Sequence, residues 1–238
     1  MLLRKIVESF LPEDAKQNKI DLKFIQRGDA KSFVDQHYLG KFPASPTEYI
    51  GIFYQTDQDQ DTQLSLPFQN LVGVIIYGSP SSPNILPSLF RPLEAEEAQK
   101  VGKEEGEMPF EMKSVRELQR LFIKDLPEDI RKGLAVMAIS RGNRIMEQKY
   151  GEQLKILVSY SDPDVHQGTV YKASNAMFLG RGKPSKMLKI GDRLIRIGRA
   201  KPEELKQGQI ITLSGKDKYV WLVGSKSNKK YVSKFLKQ

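Results

Sequence analysis

Short apolar runs separated by polar segments recur along the chain. Five runs rich in Ile, Val, Leu, Phe and Tyr predict strands; they cover residues 20–26, 48–55, 70–78, 118–123 and 154–160. The last run is almost continuously apolar, which is typical of a strand buried on both faces of a sheet. Polar loops, including the Asp- and Gln-rich stretch at 56–69, separate the runs.

Helical periodicity appears in three segments between these runs. Residues 29–36 predict a short helix that Asp29 starts. A long helix is predicted over 125–150, with Asp125 as N-cap, Glu128 completing a capping box and a glycine after its last residue. Residues 168–179 predict a third helix, which Gly180 stops.

Residues 79–112 interrupt this alternation and are interpreted as an insertion. Five prolines and an acidic stretch at 94–107 disfavour regular structure in its first half, whereas 94–103 can form a short helix. A long connection inside a domain is usually functional or disordered. We therefore expect a mobile flap.

The final quarter predicts strands at 188–197, 209–213 and 219–223, and a closing helix from about residue 228. The alternating strands and helices before it predict a mixed α/β (α+β) fold. We accordingly divide the chain into a catalytic domain at 1–180 and a basic, β-rich extension at 181–238, packed on the same domain.

The 238 residues contain no cysteine, which excludes disulfides, thiolate metal sites and a cysteine nucleophile. No apolar run approaches the roughly 18 residues of a membrane helix, and no signal peptide is evident. A cytoplasmic protein of bacterial or phage origin, without a membrane partner, is the simplest expectation. The sequence does not indicate an oligomeric state.

Positive charge is concentrated near the C-terminus. Residues 181–238 hold 16 Lys and Arg against four Asp and Glu, a net +12, so the overall +9 leaves −3 for residues 1–180. Basic residues interleaved with strands favour a nucleic-acid partner, although a solvated basic tail is the alternative. The candidate phosphate contacts are Arg193, Arg196, Arg199, Lys216, Lys218, Lys226, Lys229 and Lys230. Trp221, beside them, is interpreted as a core residue.

Two motifs carry a family resemblance. One is Tyr160-Ser-Asp, a short loop, then Gly168-Thr-Val-Tyr-Lys-Ala and Phe178-Leu-Gly; the other is His37-Tyr38-Leu39-Gly40. Together they resemble the Mom DNA-modification proteins of phages, and weaker likeness extends over residues 20–238. The resemblance implies an acetyltransferase-like (GNAT) fold with a mostly antiparallel central sheet flanked by helices. It also implies double-stranded DNA as partner and protection of phage DNA from restriction.

In the acetyltransferase-like fold, the diphosphate of acetyl-CoA or another acyl-CoA lies on backbone amides where the long helix begins. A helix N-terminus suits an anion because its amides lack intrahelical partners. The best match here is Ile130-Arg-Lys-Gly-Leu-Ala135, with Ile130 where Gln or Arg is usual. The donor-side candidates are Arg120, Arg131, Lys132, Gly133, Ala135 and Ser140. An ordinary helix with a packing glycine is the alternative.

The resemblance implies transfer of a carbamoyl-type group to the N6 amine of adenine. That amine is conjugated, paired and stacked, so an enzyme must extrude the base and manage a proton. Asp162, after the buried strand, is the candidate base, and Tyr171 the candidate acid for the departing thiolate. An aspartate that caps a turn and a half-buried core tyrosine are the competing interpretations.

The family also implies iron. The candidate ligands are His37, Tyr38 and Asp162, with Asp164 and His166 nearby, an N/O set that suits a transition metal. A surface histidine is the alternative. Two other functions stay open: a plain acetyltransferase for a small amine or protein, which the turn at 130–135 keeps possible, and a non-catalytic DNA-binding protein.

Overall fold

A computed structural model describes residues 20–37, 42–43, 45–54 and 70–237. Its centre is a seven-stranded sheet of order β1-β2-β3-β4-β5-β10-β6. Every neighbouring pair is antiparallel except β4 and β5, which are parallel. The strands are β1 (Ile20–Phe24), β2 (Pro46–Tyr54), β3 (Leu71–Gly78), β4 (Val115–Ile123), β5 (Ile156–Ser161), β6 (Met177–Arg181) and β10 (Asp217–Leu222). The predicted mixed, mostly antiparallel sheet flanked by helices is confirmed.

Alternate residues of β3 pack against different helices. Val74 and Ile76 lie in the cluster formed with α1 (Arg27–His37), whereas Ile75 and Tyr77 lie in the cluster formed with α5 (Leu134–Tyr150). The Tyr77 hydroxyl donates to Asn143 Oδ1 of α5 at 2.7 Å. Burial raises the pKa of Tyr77, so the phenol stays protonated. The two helices therefore cover opposite faces of the sheet.

Residues 79–112 form a packed layer. The segment contains α2 (Ile85–Leu89) and α3 (Ala95–Val101), which pack with the C-terminal α8 (Lys226–Ser233) against the sheet. The helix expected at 94–103 is present, with Glu94 in a capping box. The expectation of irregular structure in the first half was wrong, because apolar residues between the prolines, such as Leu89 and Phe90, are fully buried. The segment is thus not an open flap.

The helix predicted over 125–150 is interrupted. A short helix α4 (Glu128–Arg131) precedes α5, and Gly133 between them adopts φ 78°. Asp125 does not cap a helix as expected, since the N-cap position of α4 is Pro127 and Asp125 pairs with Arg131 at 3.4 Å. The left-handed glycine therefore gives the long helix its own N-terminus at Leu134.

The helix predicted over 168–179 is also shorter than expected. It is α6 (Thr169–Ala173), and it ends before Asn175, which has φ 67°. The following apolar residues form β6, because β10 offers them an antiparallel partner at the sheet edge. Tertiary pairing thus overrides the helical pattern.

The C-terminal quarter is divided between the main sheet and a smaller one. Strand β10 belongs to the main sheet, whereas residues 185–213 form a separate three-stranded sheet of order β8-β7-β9. Its elements are β7 (Ser185–Ile190), β8 (Arg193–Arg196), α7 (Pro202–Gln207) and β9 (Gln209–Leu213). The chain leaves the main sheet after β6 and returns to it before β10 at the same point, where Gly182 N donates to Lys216 O at 2.9 Å. Among the described residues, no helix is long and apolar enough to cross a bilayer.

Candidate active site

The parallel strands β4 and β5 pair only at their beginnings, from Val115 and Ile156 to Glu117 and Val158. Beyond that point they separate, and only the Ser159 hydroxyl bridges them, donating to Leu118 O at 3.0 Å. A cavity of about 340 Å³ lies near the carboxyl ends of the two strands. We call it the strand-end cavity. It is lined by Leu121, Ala135, Ile139, Tyr160, Ser161, Asp162, His166, Gln167, Gly168, Thr169, Val170 and Tyr171.

The N-terminus of α5 borders this cavity through Ala135. The first intrahelical bond of α5 runs from Met137 N to Gly133 O, so the amides of residues 134–136 have no partner inside the helix. The first turn carries no acidic residue and the N-cap offers no side-chain acceptor. Unpaired amides and the positive end of the helix dipole favour an anion here.

Asp162 follows β5 directly and lines the strand-end cavity. Its Oδ1 accepts the backbone N–H of Asp164 at 3.1 Å, and its carbonyl accepts His166 N at 2.7 Å. The residue is therefore the turn-forming aspartate of the competing interpretation and a cavity residue at once. Its second carboxylate oxygen has no hydrogen-bond partner within the described part of the chain.

Tyr171 lies on the other side of this loop, in α6. Its half-buried ring stacks on Tyr219 with centroids 5.1 Å apart and meets Trp221 edge-on at 5.9 Å. Gly168, with φ 67°, lets the loop pass over Tyr219, because a Cβ there would lie 2.0 Å from the Tyr219 hydroxyl oxygen. The loop thus brings Asp162 and Tyr171 to one cavity, as the sequence predicted.

Tyr160 also lines the cavity, although sequence reasoning gave it no role. Burial, and to a lesser extent the charge of Glu117, raise the pKa of Tyr160 to about 12. Its phenol is therefore neutral at physiological pH. The ring packs with the α2, α3 and α8 cluster on the other face of the sheet, so Tyr160 is not a candidate for the reaction.

His37 lies elsewhere. It belongs to α1, stacks near Phe122, and lines a separate cavity with Asp29 and Lys124. Because α1 and α5 cover opposite faces of the sheet, His37 and Asp162 are not brought together, and Tyr38 lies outside the described residues. The described residues hold no group of three or more His, Cys, Asp and Glu that could bind a metal. The proposed iron ligands therefore do not fit one site.

Two donor-side candidates also lie away from the strand-end cavity. Arg120 occupies the same face of β4 as Phe122, opposite α5, because a bulge at Gln119 reverses the alternation; its guanidinium donates to Gln119 O. The Ser140 hydroxyl donates to Val136 O one helical turn back, an ordinary helix contact. Arg131 and Lys132 are exposed on α4 and precede Gly133.

The candidate phosphate contacts are spread over three elements. Arg193, Arg196 and Arg199 are exposed around the small sheet, with Arg193 3.7 Å from Glu204, whereas Lys226, Lys229 and Lys230 are exposed on α8. Lys216 is exposed beside β10. Lys218 is different, since its Nζ donates to Ser88 O and Oγ, and burial lowers its pKa. Lys218 therefore joins β10 to the 79–112 layer.

Comparison with known proteins gives a family match and distant structural similarity. Among solved structures, Arabidopsis thaliana NAA60 with acetyl-CoA has a TM-score of 0.47 at 6% identity, covering 87% of this chain and 100% of that one. Mutant forms of the spermidine/spermine N-acetyltransferase SpeG of Vibrio cholerae give 0.41 at 12%, covering 91% and 99%. A probable acetyltransferase from Staphylococcus epidermidis gives 0.42 at 9%, covering 87% and 100%.

No curated protein matches the chain. The Mom protein family, however, matches residues 19–217, which include β1, the strand-end cavity and the small sheet. This match covers most of the sequence and contains both Asp162 and Tyr171. The chain belongs to the Mom protein family.

Proposed function

We propose that this protein transfers an acyl or carbamoyl-type group from an acyl-CoA-type donor to the N6 amine of adenine in duplex DNA. The observation that carries the proposal is the strand-end cavity, where Asp162, Tyr171 and the N-terminus of α5 meet. Family membership and the basic C-terminal quarter favour DNA as the acceptor.

The donor would supply an activated acyl carbon. The unpaired amides of residues 134–136 suit its diphosphate, and Arg131 and Lys132, exposed just before them, add positive charge. In the transfer, the adenine nitrogen bonds to the acyl carbon, the carbon–sulfur bond breaks, and the amine loses a proton. Asp162 is the candidate acceptor of that proton, since one of its oxygens has no other partner among the described residues.

Tyr171 is the candidate that protonates the departing thiolate. Its ring is held by Tyr219 and Trp221, while its hydroxyl has no hydrogen bond within the described residues. These roles require that the side chains of Asp162 and Tyr171 face the same ligand.

Nucleoside mass spectrometry tests this function. DNA from cells expressing the protein should yield a deoxyadenosine of higher mass, and Asp162→Asn or Tyr171→Phe should abolish it. Asp21→Asn on β1 and Tyr231→Phe on α8 are matched controls that should leave it unchanged, because both side chains lie outside the cavity.

Two other outcomes would contradict the proposal. Consumption of acetyl-CoA with a small amine, without DNA modification, would indicate a plain acetyltransferase. Binding of DNA with no turnover, and indifference to both cavity substitutions, would indicate a DNA-binding protein.

A further inference from the structure

A second, larger cavity of about 600 Å³ lies beside the C-terminal half of α5. We call it the helix-side cavity. It is lined by Ser140, Asn143, Arg144, Glu147, Ser174, Asn175, Met177, Trp221, Leu222, Val223 and Lys229. None of these residues lines the strand-end cavity.

One wall of the helix-side cavity is a polar stripe of α5. Residues 140, 143, 144 and 147 follow the spacing that places side chains on one face of a helix. Ser140 and Arg144 are exposed, so the polar side of this amphipathic helix forms the wall. The remaining lining residues come from 174–177 and 221–223, and α8 contributes Lys229.

The charges in this cavity are unbalanced. Arg144 and Lys229 are exposed and make no ion pair within the described residues, whereas Arg91 and Arg181 elsewhere each hold a carboxylate. Glu147, the one acidic lining residue, accepts the N–H of Gly224 at 3.1 Å. Two cations without a partner anion at one cavity indicate an anionic ligand.

Neutral donors and an apolar floor complete the cavity. The amide of Asn175 accompanies the two cations, whereas the Ser140 hydroxyl already donates to Val136 O; Met177 and Trp221 form part of the floor. Arginine, lysine, serine and asparagine are the side chains that contact DNA phosphates. A carboxylate ligand alone would not need a site of this size, whereas a nucleotide unit has both an anionic and an apolar part.

The two cavities adjoin through aromatic contact. Trp221 lines the helix-side cavity, donates its indole N–H to Ser174 O at 2.9 Å, and touches Tyr171 of the strand-end cavity. A DNA strand bound beside Trp221 would therefore be separated from Tyr171 of the candidate reaction centre only by the Trp221 ring.

We propose that the helix-side cavity binds a backbone phosphate of the DNA strand that presents the acceptor base, with Arg144 and Lys229 as its cationic ligands. The proposal rests on DNA as the acceptor in the proposed function. It adds a site that positions the strand without touching the reacting atoms.

Salt-dependent DNA binding by the full-length protein tests this site. Fluorescence anisotropy with a labelled duplex gives the slope of log affinity against log salt, which changes by about 0.9 for each phosphate contact. Arg144→Gln and Lys229→Gln should each flatten the slope by about 0.9, and the pair by about 1.8. Arg144→Lys should keep most of it.

Lys100→Gln is the matched control. It removes the same charge from α3 at a residue that lines neither cavity, and should leave the slope unchanged. Trp221, the single tryptophan, gives a second measurement, because its fluorescence should change when the duplex binds and should change less in the double variant.

Three results would overturn the site. They are slopes unchanged by both substitutions, an equal change with Lys100→Gln, or weaker binding of coenzyme A with DNA binding intact, which would assign the cavity to the donor. Failure of the proposed function is separate, since a non-catalytic protein would still show these slopes while nucleoside analysis finds no modified adenine.

Discussion

Replacing Gly168 by alanine should destabilise the protein through two separable effects. The first is backbone strain, because Gly168 has φ 67° and ψ 17°, and a left-handed conformation costs an L-residue about 1–2 kcal/mol. The second is steric, because the new Cβ would lie 2.0 Å from the hydroxyl oxygen and 2.5 Å from Cζ of Tyr219. Tyr219 is 1% exposed, so it has little room to move, and overpacking of this kind costs about 1–3 kcal/mol.

Gly102→Ala separates the two effects. Gly102 has φ 66° and ψ 36°, nearly the same conformation, but no heavy atom lies within 4 Å of the point that a Cβ would occupy there. Gly102→Ala should therefore lower the free energy of unfolding only by the ~1–2 kcal/mol of backbone strain. Gly168→Ala should lower it by roughly 2–5 kcal/mol. Urea unfolding of both variants measures the difference.

Adding Tyr219→Phe to Gly168→Ala should restore part of the lost free energy of unfolding, because it removes the Tyr219 hydroxyl oxygen, the atom closest to the new Cβ. Equal losses in the two glycine variants would refute the reasoning, since the contact with Tyr219 would then carry no cost. A displaced Tyr219 would also move Tyr171, which stacks on it, so Gly168→Ala should reduce turnover more than Gly102→Ala does.

Three further predictions concern the C-terminal quarter. The hydrogen bond from Arg181 lowers the pKa of Asp217, so the stabilisation that Asp217 provides is present at neutral pH and is lost as the pH falls below the ordinary pKa of 3.8. In urea unfolding, Asp217→Asn should therefore have a lower free energy of unfolding than the unchanged protein at neutral pH, and the difference should shrink in acid. Lys218→Gln should leave the salt slope of DNA binding unchanged, because Lys218 is engaged by Ser88, but should lower the free energy of unfolding by about 1 kcal/mol. Joining Gly182 to Gly215 without residues 183–214 should preserve the main sheet by circular dichroism while flattening the salt slope, and an unfolded product would contradict the separation of the two sheets.

The strands were the most predictable part of the fold. The runs at 70–78 and 154–160 differ from β3 and β5 by at most two residues at either end. Short runs rich in β-branched residues favour buried strands, so their positions can be predicted from the sequence. The strand at 209–213 coincides with β9. What the runs do not encode is the order of the strands, because that order depends on contacts between distant segments.

Glycine and proline were the main sources of error. Gly133 is equally compatible in sequence with an interior packing position and with the left-handed start of a new helix, and the structure shows the second. The prolines of 79–112 suggested a loop, yet the apolar residues between them are buried against the sheet. The extension from residue 181 is divided between two sheets, since β10 pairs with β5 and residues 185–213 form the small sheet.

The site shows the same division between local and distant information. Asp162 and Tyr171 are nine residues apart, and a buried strand followed by a loop and a short helix necessarily returns to one sheet edge, so their meeting followed from local sequence. Four strands, β2 to β5, lie between His37 and Asp162 in the chain, and whether α1 lies on the same face as α6 depends on how the chain crosses the sheet. The family resemblance suggested one site for His37, Asp162 and Tyr171, because all three lie in its motifs. In the structure, His37 lies on the face of the sheet opposite the strand-end cavity. The geometry therefore favours a reaction centre built from the β5–α6 segment and the N-terminus of α5, with any part played by His37 confined to the opposite side.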